Sequence, residues 1–356
     1  MPNIQIIGSF HFRINYFTNY RINLYPSLFV ITFERCKKIP QKLNTMQTIL
    51  GAGGSISNEI AKSLKYFTDD IRLVSRNPKK VNETDQLFSA DLTDRDQVFK
   101  AVEGSEIVYL TIGFEYSTKV WQKQWPPLMQ NVIDACIVNK AKLVFFDNVY
   151  SIGSEFVKHI TEESPIYPTS KKGEVRAQVD LMLLDQMKAG KIRAIIARAP
   201  DFYGVDINNS VLMSLIYKNL AAGKKAQWMF NAKTKHSYIY TPDAGAATAL
   251  LGNTPDAYNQ IWNLPTDRKS LTGEQWVSLF AKEMDKKINF KLISGGMVRI
   301  LGIFIPFLKE LFEMRYQFDR DYFFDSIKFE KYFKYQPTKY EAGVKEIVQQ
   351  LAAKKS

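Results

Sequence analysis

The sequence predicts an α/β protein, a doubly wound parallel sheet followed by a smaller, mostly helical C-terminal region. Three observations point there. A glycine-rich turn, Gly51-Ala-Gly53-Gly54-Ser-Ile-Ser57, joins the short apolar run Thr48-Ile-Leu50 to a segment with helical spacing. Apolar runs of strand length then alternate with helical segments up to Ala197, the pattern of a parallel sheet covered on both faces. After Gly204 this alternation gives way to helices and short strands. At 356 residues the chain is long enough for one large α/β domain or two smaller ones. The expected division is an N-terminal extension over 1–45, a nucleotide-binding domain over 46–204, and a C-terminal substrate-binding region over 205–356, interleaved with the second.

Each element follows in order. A glycine turn between a strand and a helix lets the backbone approach a pyrophosphate, and the helix N-terminus adds unpaired N–H groups and a favourable dipole. Gly51, Gly53, Gly54, Ser55, Ile56 and Ser57 are therefore candidate phosphate contacts, with Ser57 in the place of the third glycine. The second strand, Ile71–Ser75, ends where an acid would bind the ribose hydroxyls of NAD. Ser75-Arg76-Asn77 stands there instead, and a hydroxyl with a guanidinium suits a 2′-phosphate, so NADP is preferred over NAD. The third strand, Gln86–Ala90, leads into Asp91 and Leu92 and a helix through Val98 and Ala101. The fourth, Ser105–Thr111, ends in Ile112-Gly113. A helix from about Trp125 to Asn139 precedes the fifth strand, Lys142–Phe146, and Ile192–Ala197 is the sixth. Gly51, Ser75, Asp91, Ile112, Asp147 and Arg198 all lie at strand C-terminal ends, where a doubly wound sheet binds ligands.

The formal charge is +12, from 48 basic and 36 acidic residues. Residues 1–45 hold six basic side chains and one acid, so five of those units belong to the extension. That segment has neither a sustained period nor the layout of a signal peptide. It is expected to be disordered, or to lie upstream of a native start at Met46. Elsewhere no helix concentrates the basic residues, so a nucleic-acid partner is not expected. The longest apolar run, Ile300–Leu308, contains a proline and is far short of the roughly 20 residues a spanning helix needs. Cys36 and Cys136 stand apart without metal-ligand spacing, and His11, His159 and His236 are isolated. A metal site is therefore not expected, and a reducing, cytoplasmic setting is.

From Met46 to about Leu351 the chain resembles an extended or atypical short-chain dehydrogenase/reductase of the NAD-dependent epimerase/dehydratase family. The resemblance is carried by GAGGSIS at 51–57, Ala90-Asp91-Leu92, the run Glu103–Thr111, Phe146-Asp-Asn-Val-Tyr-Ser-Ile-Gly153, Arg198-Ala-Pro200-Asp-Phe-Tyr203-Gly204, and the late stretch from Asp325 through Thr338. It implies a Rossmann-type fold, with Thr111, Ile112, Gly113, Arg198 and Pro200 joining the cofactor-binding set and Asp91 and Leu92 beside the adenine. It also implies hydride transfer on a nucleotide sugar or a related small carbonyl or alcohol. The family's Ser or Thr that binds the substrate oxygen falls on Asn148. Its Tyr-x-x-x-Lys motif has two registers here. Tyr167 with Lys171 fits literally; Lys172 in the ribose role puts Pro168 at the tyrosine position, leaving Tyr150 as a substitute by proximity. The second register describes a homologue that binds NADP with little turnover.

Other residues have plainer readings. Asp147 is expected to be structural, His236 a hydrogen-bonded strand residue, and Asp243 a helix N-terminal residue. Trp121, Trp125, Pro126 and Pro127 would wall a pocket or pack the core. Helices are expected over 211–222, 243–251 and 273–284. Lys218, Lys224, Lys225 and Lys233 are candidate phosphate contacts or solvated lysines. The aromatic row Phe318, Tyr322, Phe323, Phe324, Phe329 and Phe333 needs cover from the core or from a homodimer. The charges beside Ile300–Leu308 (Lys309, Glu310, Glu313, Arg315) are mixed, so no membrane partner is expected. If the extension precedes the native start, the intact mass of natively expressed protein will correspond to a chain beginning at Met46; a mass that includes residues 1–45 refutes it.

Overall fold

The structure, a computed structural model, describes residues 45–207 and 210–354. The readings made for the first 45 residues, Thr45 apart, lie outside the described residues.

The chain opens with β1 (Gln47–Leu50), α1 (Ser55–Leu64), β2 (Ile71–Ser75) and β3 (Gln86–Ser89). Then come α2 (Arg95–Val102), β4 (Ile107–Leu110), α3 (Thr118–Val138), β5 (Lys142–Asp147), α4 (Lys171–Lys188) and β6 (Ala194–Arg198). With β11 (Gln260–Asn263) these strands form one seven-stranded sheet in the order β11-β6-β5-β4-β1-β2-β3, every neighbouring pair parallel. β1 pairs β2 on one side and β4 on the other, so the strand order reverses there and a crevice opens beyond their C-terminal ends. β1 and β4 are buried along their whole length, as strands covered on both faces must be.

One face of the sheet is covered by α1 and α6 (Thr241–Gly252), the other by α2, α3 and α4. α6 reads TPDAGAATALLG, apolar or small nearly all round, and is buried accordingly. It packs so tightly on α1 that a Cβ at Gly245 would overlap Glu59. α3 starts at Thr118, earlier than expected, and runs through Pro126 and Pro127. Trp121 and Trp125, one turn apart and both buried, hold that first stretch against the sheet. The carbonyls that the prolines release belong to the exposed residues Gln122 and Lys123. The seventh strand, β11, escaped the sequence reading because Gln-Ile-Trp-Asn is too short to show a period.

Beyond β6 the chain forms β7 (Asp201–Tyr203), a π-helical turn (Leu212–Tyr217), α5 (Lys218–Ala221), β8 (Ala226–Met229), β9 (Lys235–His236) and β10 (Tyr238–Tyr240). After β11 come β12 (Leu271–Thr272), α7 (Gly273–Glu283), β13 (Phe290–Ile293), α8 (Gly295–Leu301), α9 (Pro306–Glu313), α10 (Ile327–Phe333) and α11 (Tyr340–Ala353). Short strand pairs, β7 with β10, β8 with β13 and β9 with β12, brace these helices. The aromatic row finds its cover within the chain: Phe318, Tyr322, Phe324, Phe329 and Phe333 are buried. His236 is a hydrogen-bonded strand residue, its Nδ1 on the Gln317 carbonyl (2.9 Å) and Nε2 on Asp201 (2.8 Å), stacked between Phe318 and Tyr322.

Two sets of buried charges stand out. Arg176 of α4 bonds Asp147 at the end of β5, under the rings of Trp125 and Phe145. Asp180, one turn further along α4, lies 3.6 Å from Arg198 at the end of β6 and accepts from the Ser151 hydroxyl at 2.8 Å. Burial pulls the Arg176 guanidinium down to about 10, with Asp180 opposing, so it stays charged at neutral pH. Arg176→Met or Asp147→Asn alone should destabilise by about 3–5 kcal/mol, because each strands a buried charge. The double change should recover much of that loss in urea unfolding; two additive losses would show that the residues do not act as a pair.

The second case is Asp243, in the first turn of α6. It accepts from the Thr338 amide (2.7 Å), the Thr338 hydroxyl (3.1 Å) and the Tyr335 hydroxyl (3.0 Å). Burial outweighs these bonds and raises its carboxyl to about 6. The folded state thus holds this proton more tightly than the unfolded chain. Stability should fall as pH rises from about 4 to about 7, by on the order of 3 kcal/mol from this group. Urea unfolding of the native protein and of Asp243→Asn should diverge over that range, and parallel pH profiles would refute the assignment.

Candidate active site

The glycine turn stands at the crevice. Gly51 (φ +98°) and Gly53 (φ +103°) adopt backbone conformations that suit glycine. Gly51 also leaves no room for a side chain, since a Cβ there would lie 2.7 Å from the Ile112 backbone. The Gly51 and Ala52 amides donate to the Val74 carbonyl, tying the turn to β2. α1 begins without a side-chain cap, so its first amides remain open toward the crevice. Ser57 is buried and donates back to the Gly54 carbonyl at 2.8 Å, which is how a serine fits the third glycine's place.

Around this turn lies a cleft of about 870 Å³. Gly51, Gly53, Gly54, Ser55, Ile56, Ser57, Ser75, Arg76, Asp91, Leu92, Thr111, Ile112 and Gly113 all line it. Phe114, Glu115, Val120, Gln124, Phe202, Asp206 and Ile207 also stand in the wall, and sequence reasoning singles out none of them. Asp91 is held by the Thr93 amide and hydroxyl, whose bonds keep its carboxyl below the usual range. Arg198 and Pro200 do not line the cleft. Both are buried, and Arg198 is turned inward to Asp180, because an arginine in the hydrophobic interior needs a carboxylate more than a solvent-filled cleft does.

The structure separates the two lysine registers. Ser170 caps α4, its hydroxyl accepting from the Gly173 amide at 3.0 Å, and this sets the phase of the helix. Lys171 then points to solvent while Lys172 is wholly buried. Tyr167 is 58% exposed and edge-on to Phe156, so the Tyr167/Lys171 pair stands on the surface. Four residues before Lys172 stands Pro168, which has no hydroxyl.

Lys172 Nζ bonds the Glu310 carboxylate, lies 3.2 Å from Glu313 Oε2 and 3.4 Å from the Glu310 carbonyl, and sits 4.6 Å from the Tyr116 ring centroid. Both glutamates come from α9. Glu310 also accepts from the Thr118 hydroxyl at 2.7 Å. Burial works against its charge, yet the Lys172 and Thr118 bonds together hold its carboxyl below the usual range. The Tyr116 hydroxyl is hydrogen-bonded to that of Tyr150, and Tyr150 stacks on Trp121. Burial raises both phenols above the ordinary tyrosine range. Asn148 Oδ1 accepts from the Tyr150 amide at 2.9 Å.

Around Lys172, sequence reasoning missed Tyr116, Glu310 and Glu313. Glu310 and Glu313 share a helix face by their spacing, but nothing local ties them to a lysine that precedes them by more than a hundred residues. Trp121 and Trp125, both buried, belong to the core rather than to the cleft wall.

Comparison with known proteins fits this geometry. The chain superposes on UDP-N-acetylglucosamine 4-epimerase from Methanobrevibacter ruminantium M1, in complex with UDP-N-acetylmuramic acid, with a TM-score of 0.70 at 15% identity, covering 88% of this chain and 100% of that one. dTDP-glucose 4,6-dehydratase from Streptomyces venezuelae, with NAD bound, gives 0.70 at 14% identity, covering 87% and 97%. UDP-glucose 4-epimerase from Thermus thermophilus, in complex with NAD, gives 0.66 at 13%, covering 86% and 99%. At such identities the likeness concerns the fold. No curated protein sequence matches the chain. The family's sequence model matches residues 48–264, from the first strand through the seventh, and on that match the chain belongs to the NAD dependent epimerase/dehydratase family.

Proposed function

We propose that this chain is an NADP-dependent oxidoreductase or isomerase of its family, cytoplasmic, acting on a small carbonyl or alcohol of the nucleotide-sugar class. The observation that carries the reading is the cleft, in which the positive-φ glycines, the open α1 N-terminus and Arg76 share one cavity. The glycines let the backbone close on a pyrophosphate, the α1 amides face it, and Ser75 with Arg76 suits a 2′-phosphate. Asp91 and Leu92 edge the adenine side. When bound, the nicotinamide supplies the hydride donor or acceptor. The neighbours whose names include UDP- and dTDP-sugars support the substrate class.

The acid/base role falls to Tyr150. Burial favours its neutral phenol, so it serves best as a proton donor to a substrate oxygen during reduction. Asn148 offers its amide NH2 to the same oxygen. A second reading is favoured by two observations: every side-chain hydrogen bond of Lys172 goes to α9, and Pro168 stands in the tyrosine place. A lysine so committed would leave an NADP-binding protein with little turnover.

Calorimetric titration should give tighter binding of NADP than of NAD. Arg76→Ala should weaken NADP by about 10–100-fold and barely change NAD, as for the loss of a charged hydrogen bond. Gly51→Ala should abolish both; equal affinities in the native protein would refute the 2′-phosphate argument. With nucleotide sugars and NADPH, Tyr150→Phe should lower kcat by roughly 100-fold with little change in KM. The reductive rate should stay level up to about pH 9, below the range in which even an ordinary tyrosine titrates. Full activity of Tyr150→Phe would exclude the acid role, and tight NADP binding without turnover would select the second reading.

A further inference from the structure

The run from α8 to α9 is a short helical hairpin whose turn is closed tightly at Gly302, where a Cβ would meet the Lys309 amide at 3.0 Å. Its tip is apolar and uncovered: Ile303 is 76% and Phe304 78% exposed, and Ile300, Leu301, Ile305 and Phe307 are exposed beside them. Apolar side chains contiguous to this extent mark a binding surface rather than chance exposure.

The charge around the tip identifies the occupant. Between Lys286 and Lys309 there are five cations, Lys286, Lys287, Lys291, Arg299 and Lys309, all exposed, and no acid. The neighbouring Glu310 and Glu313, which made the local charge look mixed in the sequence, are turned inward onto Lys172 and Thr118. The acids nearest the tip are thus paired inward, while Arg299 and Lys309 flank it and Lys286, Lys287 and Lys291 lie exposed earlier in the same segment. A second copy suits this face poorly, because a two-fold contact at the tip would bring Arg299 and Lys309 of one copy toward those of the other. No helix among the described residues is long and apolar enough to cross a membrane, so the hairpin's reach is to the interface.

We propose that the α8–α9 hairpin docks the protein on a lipid bilayer carrying anionic headgroups, with Ile303 and Phe304 entering the headgroup boundary and the five cations engaging the surface charge. The hairpin is fastened to the site through Glu310 and Glu313, so docking holds the Lys172 end of the protein toward the membrane.

Sedimentation of the full chain with vesicles tests this. The protein should sediment with vesicles containing one-quarter phosphatidylserine, remain free of pure phosphatidylcholine vesicles, and be released by salt. Ile303→Ser with Phe304→Ser should weaken vesicle binding by about tenfold or more, as expected for two side chains no longer buried. Lys286→Glu with Lys287→Glu should remove the preference for phosphatidylserine. Unchanged NADP affinity would show that these variants are folded. The basic N-terminal extension is common to every variant, so the differences report the hairpin. Equal sedimentation with both vesicle types, or serine variants that bind as well as the native chain, would overturn the proposal. So would a dimer in analytical ultracentrifugation that the serine variants dissolve.

Discussion

The site depends on the rotation of α4, and that rotation is set by buried charge. Lys172, Arg176 and Asp180 follow at intervals of four and lie on one face of the helix. Arg176 meets Asp147 at the end of β5, and Asp180 faces Arg198 at the end of β6. Both partners stand where the sheet delivers its ligand-binding edge. Turning α4 by one residue would strand four charged groups in an apolar interior, which costs several kcal/mol for each ion. Lys172 is thus carried inward by its neighbours as much as by its own contacts.

Electrostatics distinguishes the glycine cleft from the cluster around Lys172, whose residues do not line it. At the glycine end, open amides, Ser75 and Arg76 present donors and positive charge, with the Asp91 carboxylate on the same wall. At the Lys172 end, positive charge is already balanced by Glu310 and Glu313, and the phenols of Tyr116 and Tyr150 are kept protonated by burial. An arrangement of this kind favours proton donation over abstraction, because burial disfavours the phenolate. It also couples the C-terminal hairpin to the reacting end, since the carboxylates that balance Lys172 come from α9.

The sheet was legible because its strands are short apolar runs separated by helical segments, and the cofactor residues because the glycine turn has a local signature. The wall from Phe114 to Gln124 was not, since it carries no motif and is defined only by standing opposite the turn. α3 was read too short because proline weighs against a helix locally, whereas the burial of Trp121 and Trp125 is decided by the sheet beneath. Arg198 was assigned to the cofactor from its place at a strand end, and its orientation depended on a carboxylate from another helix.

The sequence by itself determined the doubly wound sheet, the glycine turn and the residues that stand at the end of β2, because these rest on periodicity and on residues adjacent in the chain. It left open which of two consecutive lysines serves the site. Only the tertiary structure decided which of them turns inward, Lys172, through the Ser170 cap and the buried charges that fix the phase of α4. It also decided where the charges of the C-terminal hairpin go: the acids of α9 turn inward and pair with Lys172, while the basic residues before them face solvent. Pairings across more than a hundred residues leave no local periodicity, so folding alone reveals them.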